Sequence, residues 1–323
     1  MLVYIIRRLG QSALVIAVMA TLVFVAVYAV GNPVDILASP QADQQEIEAI
    51  TRRLGLDRPL YEQYGLFVWN ALHGDLGRSF VYNEPAVQLI LKRLPATFEL
   101  AMTALVIAVG VGIPLGLYAG LKPNSLGGHS VMAGSILGFS LPNFWQGLML
   151  VLLFSVVLGW LPAGGRGQTV EILGLPVSFL TVDGLQHLLL PALNLALYKM
   201  ALVIRLTRAG AREVMLQDYV RFARAKGLSQ ARVIGVHVLK NILIPVVTVL
   251  GLELGSMIAF AVVTETVFAY PGMGKLLIDS ISRLDRPVIV AYLMMTVVIF
   301  VVINLVVDLI YAAIDPRVRL SEA

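Results

Sequence analysis

Two groups of residues in this sequence have types and spacings that could do chemistry. The first is a set of ionisable residues standing in or beside long apolar runs: Lys199, Glu253, Glu265 and Asp308. A lone lysine at the centre of a bilayer costs about 2.5–3.5 kcal/mol on insertion scales. Lys199 and Glu253 fall near the middles of consecutive apolar runs, so they are expected to pair. The pair would serve either as a lock between two helices or as a polar lining for a charged substrate. Asp308, with Asn304 and Tyr311, is expected to form structural hydrogen bonds at the end of the last run.

The second group lies between residues 205 and 240, where eight basic residues accompany only two acidic ones, Glu213 and Asp218. Tyr219, Phe222, Ala223 and Lys226 recur at i, i+3, i+4 and i+7, one face of a helix, with Arg221 and Arg224 on its flank. Gly227 suits the left-handed turn that ends a helix, and Ser229 suits the cap of the next. An aromatic face edged by arginine fits a groove on another protein. The same face could also lie on anionic lipid. Glycines repeat every fourth residue at Gly112, Gly116 and Gly120, and again at Gly251 and Gly255, a pattern that lets helices approach closely.

Other chemistry finds no residues to carry it. The sequence has no G-x-x-x-x-G-K-[ST] loop; Gly272-Met-Gly-Lys275 imitates its end, but Ala269 and Leu276 stand where Gly and Ser or Thr belong. His73, His129, His187 and His237 are scattered without metal-ligand spacing. No G-x-S-x-G occurs, and the absence of cysteine excludes thiolate nucleophiles and disulfides. The chain is therefore expected to hold no cofactor or metal, to bind no nucleic acid, and to be no enzyme.

The elements that must position these groups follow from hydropathy. Of 323 residues, 58% are apolar and only 14% charged, against ~25% charged in soluble domains. No soluble core hides that much apolar surface, and long uncharged runs exclude an outer-membrane barrel. An all-α polytopic membrane protein remains. Six spans are expected: Leu9–Val30, Leu100–Leu121, Val131–Leu161, Leu188–Ile204, Ile242–Thr264 and Val288–Val307. The third is too long for one straight helix, and Pro142-Asn143 predicts a kink or re-entry there. Six crossings put both termini on one side. Excluding the long first loop, Lys and Arg divide 13 to 4 in favour of that side, which predicts cytoplasmic termini.

Residues 1–30 are read as the N-terminus and first span, and residues 31–94 as an external helical loop. Residues 95–312 are read as five further spans carrying the 205–240 loop, and 313–323 as a cytoplasmic tail. Within the external loop, Ser39-Pro40 and Gly55 bracket one expected helix and Pro59 and Gly74 a second. Asn83 and Pro95 bracket a third. The loop would act as a lid on the spans or as a docking surface for an outside partner.

The stretch Asp218-Tyr-Val-Arg-Phe-Ala-Arg-Ala-Lys-Gly-Leu-Ser229 resembles the coupling-helix motif of the permease subunits of type I ABC importers, in the peptide/nickel group. His237-Val-Leu-Lys-Asn-Ile-Leu-Ile-Pro245 is similar to the peptide-permease continuation of that motif. Gly74-Asp-Leu-Gly-Arg-Ser79, Arg93-Leu-Pro-Ala-Thr97, Thr264-Glu-Thr-Val-Phe268 with Pro271-Gly272, and Asp308 through Asp315-Pro-Arg317 agree in order. The general pattern reads E-A-A-x-x-x-G followed by I-x-L-P. Here Arg221-Phe-Ala223 precedes the glycine, and His237 and Lys240 replace Ile and Pro. Lys199 and Glu253 are unusual for the group.

The resemblance implies a permease that moves di- or oligopeptides across the inner membrane. Nickel chelates, glutathione and opines are alternative cargoes, and a secondary transporter or channel is the alternative class. It further implies a second homologous permease, two ATP-binding subunits that carry the nucleotide, and an external solute-binding protein. The ATPase contact would fall on Glu213, Asp218, Tyr219, Arg221, Phe222, Ala223, Arg224, Ala225, Lys226, Gly227 and Leu228.

Overall fold

The computed structural model describes residues 2–29, 34, 43–53 and 55–314. The Ser39-Pro40 helix start, Leu54 and the tail motif Asp315-Pro-Arg317 lie outside the described residues.

The uncharged run after Arg8 forms α1 (Leu2–Ala29). Of its described side chains, residues 6–26, most are exposed, but Ala20 and Val23 are buried against Val290 and Met294 near the chain's end. Two short helices follow, α2 (Gln44–Arg53) and α3 (Leu60–Leu72). Asp43 caps α2 by accepting from the Glu46 N–H at 2.8 Å, and Gly55 follows its end at φ 66°. Helix α3 leans on α1: the Tyr64 hydroxyl lies 2.7 Å from that of Thr21, and the Tyr64 ring meets Phe24 edge-on at 5.2 Å.

Helix α4 runs unbroken from Ala86 to Leu121. The expected third short helix, capped by Asn83 and ended by Pro95, is thereby corrected. Pro85 holds the N-cap, while Asn83 sits in the preceding turn at φ 53° and donates its N–H to the Ser79 carbonyl. Pro95 removes one helical hydrogen bond. The residues just beyond it, Ala96, Thr97 and Leu100, are almost wholly buried, and that packing carries the helix through.

The long third run breaks as expected. Helices α5 (Leu126–Ser140) and α6 (Asn143–Val157) meet at 109° around Leu141-Pro142, and α6 ends in a π turn. The Gln146 amide donates to the Gly138 and Leu141 carbonyls at 2.9 and 2.8 Å, satisfying acceptors that the break frees. One hairpin departs from the all-helical expectation: β1 (Val170–Ile172) pairs antiparallel with β2 (Leu175–Val177) through Leu173-Gly174, both at positive φ.

The remaining elements are α7 (Val182–Met215), α8 (Asp218–Ala225), α9 (Gln230–Phe260), α10 (Val262–Val267), α11 (Met273–Ser282) and α12 (Arg286–Ile314).

The glycine stripe sets the topology. A Cβ on Gly112 would lie 2.8 Å from Val203, on Gly116 2.7 Å from the Ile204 carbonyl and from Thr207, and on Gly120 2.7 Å from Ala211. Both sequence numbers rise together, so α4 and α7 pack parallel in near backbone contact. Two parallel spans need one crossing between them. The bent α5–α6 pair supplies it: Gly127 lies against Tyr118 at the end of α4, and Gly167 lies against Asp183 and His187 at the start of α7. Among the described residues five helices are long and apolar enough to cross a membrane, or six with the bent pair counted as one span. Helices α9 and α12 run antiparallel, with Gly251 against Val307 and Gly255 against Phe300. Arg8 pairs with Asp308, which puts the start of α1 and the end of α12 at one end of the bundle, here the near end.

Candidate functional site

At the near end, α7 projects past its expected limit at Ile204 to Met215. The chain then turns into α8, turns again at Gly227 (φ 77°), and enters α9 behind the Ser229 cap. Val220 and Ala223 are buried with Val233, Val238, Ile242 and Ala211, and Leu228 packs beside them. This apolar sole fixes α8 as a foot on the bundle. The opposite face stays open, with Tyr219 42% and Phe222 61% exposed. The Lys226 ammonium stands 4.5 Å from the centre of the Phe222 ring, a cation–π contact that keeps the aromatic upright. Asp218 faces Arg221 at 3.6 Å, and Arg224 reaches the Met215 sulfur. Glu213 and Ala225 are exposed.

Ala223 corrects the expected face. At 100° per residue it falls between the open stripe of Tyr219, Phe222 and Lys226 and the buried Val220. Its single methyl fits the sole, so it belongs to the anchor and not to the exposed surface.

Lys199 and Glu253 are brought together between α7 and α9, and Ser256 completes the group with its hydroxyl 2.9 Å from the Lys199 nitrogen. Because each charge cancels the other, removing one leaves an uncompensated ion among helices. Expression of properly assembled protein should fall more for Lys199→Met or Glu253→Gln alone than for the two together. Equal or additive losses in the double variant, measured by size-exclusion yield, would show that the two do not act as a pair. Asp308 takes Arg8 as its partner, while the Asn304 amide donates to the Phe300 carbonyl. The Tyr311 side chain lies outside the described residues.

Glu265 lies beyond the fifth span, in α10. Its carboxylate accepts from the Thr97 hydroxyl at 2.6 Å and from the Lys275 N–H at 3.0 Å, at the start of α11. Gly272 leaves room for it: a Cβ there would strike the carboxylate. Burial pushes the Glu265 carboxyl up, and these hydrogen bonds oppose that rise. The Thr97 hydroxyl also accepts from the Met273 N–H, so one threonine and one glutamate tie α4 to the α10–α11 segment at the far end.

Reading by apolar runs missed the densest polar cluster, at the far end. Glu99 is buried, one residue before an apolar run. It accepts from the Ser178 N–H at 2.6 Å, the Phe179 N–H at 2.9 Å and the Ser178 hydroxyl at 2.8 Å, and it pairs with Arg166 at 2.7 Å. Arg166 also donates to the Pro176 carbonyl in β2. The Tyr270 hydroxyl completes the shell at 3.4 Å, its pKa raised first by burial and then by the Glu99 charge. Asp285 similarly gathers the Ser79 hydroxyl and the Phe80 N–H. The sequence signal was present in Thr97-Phe-Glu99, two polar residues a turn past Pro95 where a span begins.

A bundle of five or six apolar helices long enough to cross a membrane, with one basic and aromatic foot at the near end and a pinned cap at the far end, defines a multi-pass membrane protein. The comparisons make the class specific. The family profile described as "Binding-protein-dependent transport system inner membrane component" matches residues 112–320, and the corresponding N-terminal profile matches residues 1–101. The chain belongs to this family of transport permease subunits.

It is 41% identical to the di/tripeptide transport system permease protein DppB of Pseudomonas aeruginosa and 38% identical to the dipeptide transport system permease protein DppB of Escherichia coli K12, with 99% of both chains covered in each case. It is 40% identical to a putative peptide transport system permease protein of Brucella abortus, covering 98% of each. Among solved structures, a methionine ABC transporter in inward-facing form aligns with TM-score 0.54 at 13% identity, covering 71% of this chain and 97% of that one. That likeness concerns the fold.

Proposed function

We propose that this chain is a membrane subunit of an ATP-driven importer and forms part of the path by which di- or oligopeptides cross the inner membrane. The full-length similarity to peptide permeases supports the cargo. The observation that carries the mechanism is the foot: an apolar sole buried in the bundle beneath an exposed aromatic and basic face. A rigid element so built passes a push from a partner into α7 and α9, whose ends it joins. In this reading the near end is cytoplasmic, with both termini there, and two separate ATP-binding subunits grip α8. This chain holds no nucleotide and performs no covalent step. A second permease completes the path within the lipid bilayer, and an external solute-binding protein delivers cargo to the far end, where residues 31–94 offer it a surface.

ATP binding would close the ATPase pair, draw the feet together and turn the bundle outward; hydrolysis would return it inward. The test is reconstitution in liposomes with the partner permease, the ATPases and the binding protein. ATP-dependent accumulation of a radiolabelled dipeptide is expected, with none by this chain alone. Gradient-driven uptake by the isolated chain would refute the assignment.

A further inference from the structure

Lys199 is spent on Glu253, but a second cation in the spans is not. Arg205 is half-buried on α7, and no carboxylate lies within ion-pair distance of it among the described residues. Its Nε donates to the Ala201 carbonyl at 3.2 Å, and its guanidinium lies 4.8 Å from the Phe139 ring centre; Phe139 stacks on Tyr198 at 4.8 Å. Both terminal amino groups of the guanidinium are left without a hydrogen-bond partner among the described residues.

The depth of this group is fixed by its neighbours. Gly116 packs against Ile204 and Thr207, which puts the Arg205 backbone level with a point five residues short of the α4 terminus, about 7.5 Å inside the near end at 1.5 Å per residue. Side chains on a helix lean toward its N-terminus, and α7 starts at the far end. The bond to Ala201 and the contact with Phe139 show that the guanidinium follows this lean. It reaches further into the bundle instead of back to the near surface, so it does not snorkel.

The surface around it is a seam. Tyr198, Leu202, Arg205, Ala209 and Arg212 fall at i, i+4, i+7, i+11 and i+14, one stripe of α7. All are exposed or half-exposed, while Ala196, Ala201, Val203, Ile204, Thr207 and Ala211 on other sides of the same stretch are buried, the helix packing there against α4, α5 and α9. A cation without a counter-ion at this depth cannot rest against lipid tails; such groups face water-filled cavities.

We propose that Arg205 is a carboxylate-binding residue on the translocation path, which holds the C-terminal carboxylate of a peptide in transit through its two free amino groups, with Phe139 fixing the plane of the fork. This rests on the peptide reading above.

The chain has no cysteine, so Leu202→Cys supplies a single thiol one helical turn from Arg205. In the assembled transporter this thiol should react with water-soluble methanethiosulfonates, at least tenfold faster with the anionic ethylsulfonate than with the cationic ethylammonium reagent once corrected for their intrinsic rates. Adding Arg205→Met should collapse that ratio. A thiol that neither reagent labels, with or without ATP, would mean that lipid or a partner helix covers the seam, and would overturn the proposal. An unchanged ratio in the double variant would do the same.

In parallel, Arg205→Met should lower uptake of a radiolabelled dialanine at least tenfold, with Arg205→Lys retaining an intermediate rate and all subunits still co-purifying. Uptake within twofold of the parent would refute the role. If Arg205→Met does not assemble, Arg205→Lys and Arg205→Gln carry the uptake test by the same criterion. A parent complex that takes up no dipeptide would instead sink the peptide reading.

Discussion

Replacing Tyr219 and Phe222 together by alanine should cut ATP-driven uptake by about 30-fold, the loss expected when a contact worth about 2 kcal/mol is removed from an aromatic anchor. The chain itself should remain folded. Both rings are largely exposed and contribute little to the sole of the foot, which is built from Val220, Ala223 and their buried neighbours. Thermal unfolding of the isolated subunit should therefore move by less than about 2 °C, since exposed positions rarely change stability by more than ~0.5 kcal/mol.

Gly227→Asp tests the same device by another route. The residue stands at φ 77° with nothing within 4 Å of the place a Cβ would take, so the substitution meets backbone strain and no clash. That strain is about 1 kcal/mol, and it acts on the turn that sets the angle of the foot. Uptake should be lost while membrane insertion persists. Uptake unchanged in both variants would show that the proposed ATPase subunits grip another surface.

The fold was legible in the sequence where one physical rule acted alone. Uncharged runs marked the spans, and Pro142-Asn143 marked the 109° break because a proline there leaves the Gly138 carbonyl without its backbone donor. Gly227 and Ser229 marked the turn and cap that orient the foot. The rule failed where two effects competed. Pro95 reads as a helix end, yet α4 passes through it because the buried residues beyond hold the helix in place. Ala223 carries the right spacing for the exposed face, yet its size suits the sole. The β1–β2 hairpin rests on six residues and two positive-φ positions, too little pattern to stand out between long helices.

The charges show the same division. Lys199 and Glu253 announce themselves because they interrupt apolar runs. Glu99 does not, because it sits where a run begins and its partners come from residues 67 to 171 positions away. Only the folded chain brings Arg166, Ser178, Phe179 and Tyr270 onto one carboxylate.

Removing that carboxylate should be the most damaging single change at the far end. The Glu99 and Arg166 side chains are only 4% and 12% exposed, so Glu99→Ala strands a buried guanidinium and two backbone N–H groups at once. Breaking a buried pair from one side typically costs about 3–5 kcal/mol, which for a chain of this size corresponds to a fall of roughly 10 °C in the unfolding midpoint. The loss should concentrate where Glu99 acts, freeing the β hairpin and the Tyr270 loop from α4. Limited proteolysis should then cut between residues 164 and 181 at a rate the parent does not show. Glu99→Gln combined with Arg166→Met should recover part of the midpoint, because it removes both charges while keeping an amide oxygen for the Ser178 and Phe179 N–H groups. Should Glu99→Ala unfold within about 2 °C of the parent and leave the hairpin resistant to protease, the cluster would not be what fastens the far-end loops to the bundle, and the Thr97–Glu265 and Asp285 contacts would have to hold them.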